Sequence, residues 1–349
     1  MYRRQGFLAV AVTAFLVVVV AGVVYAVSVP VAVSCPAASV AYNVDGSATC
    51  SVDVTIPGVV TTVTAPAATV TVTVSPTPTP TPTPTPPPST FPGAGNTGVP
   101  AGTVLTAYTG PATVSTANTV IDSKTITKCL TVTANGVVIR NSLIRVGGCG
   151  YTVYVQDKGT VRATPLTILD SEIDCRNTSS TAIGEADVTV RRTNIHGCEN
   201  GFDINRNVTV EDSYIHDLYN TAASHSDGIQ LASGHLVGGT VVNGSSDVTI
   251  THNTIFGVGV DGSLGTSAII SNRGGDTNIL IDSNLLAGGA YTLYCEQNGA
   301  KGVNYRVTGN HFSKRFSPNY GAYGPSDSCA DETQSGNVDD TTGLPIQLD

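Results

Sequence analysis

The sequence predicts an all-β protein whose main domain is a right-handed parallel β-helix. This solenoid is expected to follow an N-terminal membrane segment and a Pro/Thr-rich stalk. Three observations carry the expectation: an eight-residue repeat within residues 91–345, a composition suited to strands and turns, and an apolar N-terminus followed by a proline run.

The repeat appears as TVIDSKTI from Thr119, VVIRNSLI from Val137, LTILDSEI from Leu166 and VTVRRTNI from Val188. It continues as VTVEDSYI from Val208, VTITHNTI from Val248, ILIDSNLL from Ile279 and YRVTGNHF from Tyr305. Its third position is aliphatic throughout: Ile121, Ile139, Ile168, Val190, Val210, Ile250, Ile281 and Val307. The eighth is apolar as well, running from Ile126, Ile144 and Ile173 through Ile195, Ile215 and Ile255 to Leu286 and Phe312. Positions one and three share a strand face, so parallel stacking turns each column into a continuous aliphatic ladder. The sixth position is mostly small and polar (Lys124, Ser142, Ser171, Thr193, Ser213, Asn253, Asn284, Asn310). Such side chains suit a corner, where they hydrogen-bond along the stack.

Each repeat has a further short strand after a turn, as in YTVYV from Tyr151, GFDIN from Gly201, DGIQL from Asp227, SAIIS from Ser267 and YTLYC from Tyr291. Two or three strands per turn of the chain are the signature of a solenoid. The Leu spacing of leucine-rich repeats is absent, and a propeller needs longer four-stranded periods. Between Val208 and Val248 the interval is 40 residues, and HLVGGTVV from His235 is expected to fill it with one extra coil.

Composition agrees. Thr, Val, Asn and Gly abound, charged residues make up only 12%, and there is no Trp. β-Branched residues suit a pleated surface. A formal charge of −9, with no basic run beyond the first residues, excludes a nucleic-acid partner, whose phosphates require cationic contacts.

Arg3 and Arg4 precede an apolar run over residues 7–29, the charge bias of an export signal. Residues 1–29 are therefore expected to be a signal anchor or a signal peptide that contacts the membrane through 7–29 and places the rest outside the cytoplasm. Val24-Tyr25-Ala26 resembles a cleavage site, whereas the length of the run approaches that of a spanning helix. Residues 30–74 form a Val/Thr-rich extracytoplasmic segment. Residues 75–90 alternate Pro with Thr and are expected to hold polyproline II, reaching on the order of 40 Å at about 3.1 Å per residue. The eight cysteines, with no C-x-x-C pair, read as disulfides. Position suggests Cys129 with Cys149, Cys175 with Cys198, Cys295 with Cys329, and Cys35 with Cys50.

Three segments carry a resemblance: FPGAGNTGVPAGTVLTAYTGPATVSTANTVIDSKTI from Phe91, the HSDGIQ string from His225, and SGNVDDTTGLP near the C-terminus. Over roughly residues 91–345 the chain resembles a family of secreted right-handed parallel β-helix repeat proteins from actinobacteria and their phages. The resemblance implies a pectate-lyase-like superfamily fold and no established activity.

The richest polar segment is IHDLYNTAASHSDGIQL, Ile215 to Leu231, a long insertion between two strands of one coil. If DGIQL stacks on GFDIN, then Ile229 covers Phe202, Leu231 covers Ile204, and Gln230 lies outward beside Asp203. The position after the eighth column adds Arg145, Asp174, His196 and His216 in consecutive coils. Asp203, His216, Gln230, His196 and Asp174 are accordingly the candidate substrate-binding residues for a polysaccharide.

Hydrolysis needs two carboxyl groups, and the paired aspartates of polygalacturonases are missing about one coil after HSDGIQ. A lyase acting on a uronate-containing glycan needs a base near the sugar C5 proton and a cation for its carboxylate. His225, Asp227, Arg206 and Arg273 are the candidates for those catalytic roles. Glu199, Asp203 and Asp227 are the candidate oxygen ligands for Ca²⁺, a hard cation. Plainer readings stand beside these. Asp227-Gly228 is an ordinary turn pair, His196 and His216 are surface rungs, and Tyr151, Tyr154, Tyr291 and Tyr294 either stack on sugar or fill a coil. A non-catalytic adhesin, or a phage-encoded protein that modifies a host envelope, would need no catalytic residues.

Overall fold

The computed structural model describes residues 91–349, apart from 232–234, 238–239, 243, 272–273 and 296–300 and the side chains of 235–237 and 241. Before residue 91 it describes only the strand backbones Leu8–Val20, Val23–Cys35, Val40–Tyr42 and Ala48–Cys50. The chain divides into two units, Met1–Ser89 and Thr90–Asp349.

In the first unit Leu8–Val20 pairs antiparallel with Val23–Cys35. A Val-rich hairpin thus stands over the apolar run, as β-branched side chains favour. Among the described residues no helix is long and apolar enough to cross a membrane. The stalk at 75–90 and the side chains of Cys35 and Cys50 lie outside the described residues.

The second unit is an all-β, β-helix-like solenoid, with no helix among its described residues. Its first parallel ladder runs through Val120–Asp122, Val138–Arg140, Leu166–Leu169, residues 188–191 and 208–211, Ser246–Thr251, Thr277–Asp282, Val303–Thr308 and Thr333–Ser335. The third repeat position pairs in register from Ile121 to Val307, and every member is buried. The second ladder, from Thr106–Ala107 to Val338–Asp339, does the same for the eighth position, from Ile126 to Phe312. A third ladder stacks Leu130, Val153, Ile183, Phe202, Ile229, Ile269 and Leu293 inward. The core is the space these three ladders enclose.

The first two ladders meet at a sharp corner. The fifth repeat position is left-handed at Ser123, Asn141, Asp170, Arg192, Asp212, His252, Ser283, Gly309 and Gly336, with φ between 46° and 67°. Asn, Asp and Gly tolerate that region best, which accounts for much of the column. The buried sixth position then carries the hydrogen-bonded polar ladder. Ser213 N donates to Asn253 Oδ1 at 2.8 Å, Asn253 N to Asn284 Oδ1 at 2.9 Å, and Asn284 N to Asn310 Oδ1 at 3.0 Å.

Asn337 extends this ladder one coil further, accepting from Asn310 N at 3.0 Å. This ninth coil is hard to read in sequence because Gln334 and Asp339 replace the apolar columns. The extra coil expected at His235 is not formed. His235–Val237 and Thr240–Val242 make a separate antiparallel hairpin, while Val208 pairs directly with Val248. The long interval is two insertions around one coil. Cys129–Cys149, Cys175–Cys198 and Cys295–Cys329 are bridged, each pair joining neighbouring coils.

A strap of irregular chain precedes the first coil and lies along the corner. Phe91 stacks on His252 and meets His311 edge-on, with ring centroids 5.9 and 5.0 Å apart. Gly98 N donates to Arg192 O at 2.9 Å, and Thr106 N to Ser123 O at 3.0 Å. The strap therefore runs from late coils toward the first.

Candidate functional site

The outer face of the third ladder holds the densest chemistry. One outward column runs Thr131, Tyr154, Gly184, Asp203, Gln230, Ile270, Tyr294 and Asp327. Gln230 does lie beside Asp203, with Ile229 over Phe202 and Leu231 over Ile204.

Tyr151 and Tyr154 stand on one strand with rings stacked at 4.9 Å and an interplanar angle of 16°. Tyr151 Oη donates to Asp203 Oδ2 at 3.0 Å, and Tyr154 is close enough to hydrogen-bond Glu185. Glu185 Oε2 also accepts from Asp157 N at 3.0 Å. Burial raises the pKa of both carboxyls from their ordinary values. Desolvation disfavours the charged form, and the Asp203 charge adds to the effect at Glu185. The bond from Tyr151 pulls Asp203 partly back down. Glu185 escaped the sequence reading because the segment TAIGEADV breaks the strict alternation of the strand.

Asp227 sits one coil beyond, paired with Asn200. Only 2% of it is exposed; its Oδ1 accepts from Ser267 Oγ at 2.5 Å and its N–H donates to Asn200 Oδ1 at 2.9 Å. Burial pushes its pKa up to about 7, opposed by the Ser267 bonds and assisted by Glu199 and Asp203. A folded-state pKa above the unfolded value gives stability that is present below about pH 4 and lost as pH rises toward 7. The full shift corresponds to about 4 kcal/mol, reduced in practice by relaxation and water penetration. Asp227→Asn is expected to raise unfolding free energy by about 2 kcal/mol at pH 8 and hardly at pH 4. Urea unfolding at the two pH values checks this; equal effects at both would show that the carboxyl is not the cause.

A second polar group occupies the outer face of the second ladder, where Arg145, Asp174, His196 and His216 pair in register across consecutive coils. Arg145 Nε lies 2.9 Å from Asp174 Oδ2. His196 meets Glu172 Oε1 at 3.2 Å, and that bond raises its pKa. His216 is held between Asp217 Oδ2 and Asn194 Oδ1, each at 2.8 Å, and burial lowers its pKa. The two imidazoles stack at 5.4 Å, and Tyr214 covers His216 at 3.9 Å. Both ring nitrogens of His216 are already engaged by the protein, the arrangement of a structural rung.

Compared with known protein families, curated proteins and solved structures, the chain matches none.

His225 is exposed and near the acidic face; its N–H donates to Glu199 Oε1 at 3.3 Å. Arg206 is engaged by other carboxylates. Its side chain is buried between Asp157 Oδ1, at 2.7 Å, and Asp187 Oδ2, at 3.6 Å, so it is committed to holding a loop. Arg273 lies outside the described residues. The calcium expectation meets a geometric obstacle: among the described residues no three His, Cys, Asp or Glu side chains are placed to share an ion. Glu199, Asp203 and Asp227 do not converge, because Asp227 turns inward to Ser267. Two surface clefts lie elsewhere: one of 210 Å³ beside Gln156, Lys158 and Arg162, and one of 350 Å³ under residues 94–101.

Proposed function

We propose that residues 91–349 form a right-handed parallel β-helix of the secreted actinobacterial and phage type, and that it binds a polysaccharide across the outer face of its third ladder. In this reading the domain also cleaves the chain by hydrolysis. The observation that carries it is the stacked Tyr151–Tyr154 pair, whose hydroxyls face two carboxyls that burial keeps protonated above the usual pH.

Stacked rings offer an apolar platform with hydroxyl handles, which suits the faces of sugar rings. A carboxyl whose pKa burial raises keeps its proton longer and can donate it to a glycosidic oxygen. An ionised neighbour can activate water or stabilise the cationic transition state. Glu185 and Asp203 stand in adjacent coils, and the charge on one raises the proton affinity of the other, as in carboxyl pairs that divide these roles. Lyase chemistry fits less well. It requires a cation for the substrate carboxylate, and Arg206 is consumed by Asp157 and Asp187. Three disulfides accord with an oxidising compartment outside the cytoplasm, and with export through residues 7–29 and presentation on the 75–90 stalk.

The test incubates the intact protein with cellulose, xylan, mannan, galactan, chitosan, alginate and pectate, following new reducing ends and ultraviolet absorbance. New reducing ends without unsaturated product are expected. Glu185→Gln and Asp203→Asn should each lower the rate at least about 100-fold, as loss of a general acid or base does, with binding changed less than about threefold. The wild-type rate should fall on the alkaline side as the acid loses its proton. Unsaturated product would restore the lyase. Binding without cleavage would assign the domain to the adhesins.

A further inference from the structure

The strands Tyr151–Val155 and Tyr291–Tyr294 both begin Tyr-Thr-Xaa-Tyr, and the register places the two motifs at equivalent positions of the third ladder. The likeness extends to their surroundings. The ring of Tyr151 leans over Gly184 and that of Tyr291 over Gly324; a Cβ at either glycine would press into the ring. At both ends a glycine of the next coil makes room for a tyrosine to lie against the surface.

Tyr294 meets Tyr291 edge-on at 5.3 Å, and Tyr323 approaches Tyr291 at 5.7 Å. Tyr323 is 74% exposed, so packing does not account for it. Its backbone is nonetheless fixed: Tyr323 N donates to Ala290 O and Ala322 N to Gly289 O, both at 2.8 Å. A ring held in water on an anchored loop is pre-organised for a ligand. Between the motifs the outward column carries Gly184, Asp203, Gln230 and Ile270. Five coil steps at about 4.8 Å put the two tyrosine groups about 24 Å apart along the axis.

We infer that Tyr291 and Tyr323 form a second saccharide-stacking site, and that one linear polysaccharide spans it and the Tyr151–Tyr154 site along the coil axis. The inference rests on the glycan-binding reading above and adds to it a direction and a minimum length. A chain crossing the ladder at right angles would meet only one tyrosine group. A chain running along it meets both, and the second contact gains from the high local concentration created by the first.

The experiment measures binding of the intact protein to immobilised cellulose, xylan, mannan, galactan, chitosan, alginate and pectate, and to the trisaccharide of each. Any polymer bound by the wild type is expected to bind at least about tenfold more weakly to Tyr291→Ala/Tyr323→Ala. Trisaccharides, too short to span both sites, should bind the variant within about twofold of wild type. Tyr291→Phe/Tyr323→Phe keeps the rings and should keep the polymer affinity, which separates lost stacking from lost folding. Polymer affinity unchanged in the double alanine variant while Tyr151→Ala abolishes it would overturn the second site and leave glycan binding standing. A wild-type protein that retains no polymer would overturn the glycan-binding reading, and this inference with it.

Discussion

Replacing Arg206 with Met is expected to destabilise the solenoid by about 3–5 kcal/mol, the usual cost of removing one partner of a buried ion pair. Arg206 is 4% exposed. Its Nε and Nη2 donate to Asp157 Oδ1 at 2.9 and 2.7 Å, and Nη2 also donates to Thr160 O at 2.7 Å. Asp157 and Asp187 are 4% and 1% exposed, so water cannot readily replace the guanidinium. Methionine fills similar volume but returns no charge and no donors. Adding Asp157→Asn should recover about 1–2 kcal/mol by removing one buried negative charge. The effect should reach the chemistry too, since Asp157 N donates to Glu185. Urea unfolding of the single and double variants is the check. A loss below about 1 kcal/mol would mean that the loop already admits water.

Asn284→Ala is expected to cost about 3–5 kcal/mol, because one side chain serves two neighbouring coils. Asn284 Oδ1 accepts from Asn253 N at 2.9 Å and Asn253 Nδ2 at 3.0 Å. Its Nδ2 donates to Ile250 O at 2.9 Å and Asn310 Oδ1 at 3.0 Å. Alanine takes the side-chain acceptor from Asn253 N and the side-chain donor from Ile250 O, at about 1–3 kcal/mol each before relaxation, and opens a small cavity. Asn284→Ser should cost only about 1–2 kcal/mol. Serine already fills the equivalent place at Ser171, where its Oγ accepts from Ser142 N at 3.2 Å. Thermal or urea unfolding of both variants tests the contrast; equal losses would show that a serine hydroxyl at this place restores none of the lost hydrogen bonding.

The solenoid could be read from sequence because its columns repeat one physical demand per position. The third and eighth positions must be apolar and the sixth must hydrogen-bond along the stack, and each demand recurs from Ile121 to Phe312. Legibility failed where the demand changed. The ninth coil closes the stack, so Gln334 and Asp339 need not be apolar. The stretch around His235 alternates like a strand, yet it pairs with itself instead of joining a ladder.

The site was legible only in part, since polarity reveals an outward position but not its partners. Asp203 and Gln230 were placed side by side by register alone. Arg206 stands among the candidate catalytic residues of the sequence, and nothing local tells of Asp157 and Asp187 folding over it. Glu185 was hidden by its irregular strand, and its meaning depends on Tyr154 from another coil.

The strap gives the solenoid a mechanical polarity. Chain entering at Phe91 first grips the coils of His252 and His311, then Arg192, and only afterwards reaches the first coil at Thr106. A pull transmitted from the chain before Phe91 is therefore taken up by the flank of the stack, spread over several coils as shear. The end coil, which would otherwise peel away one strand at a time, carries load only after the strap has been stripped off.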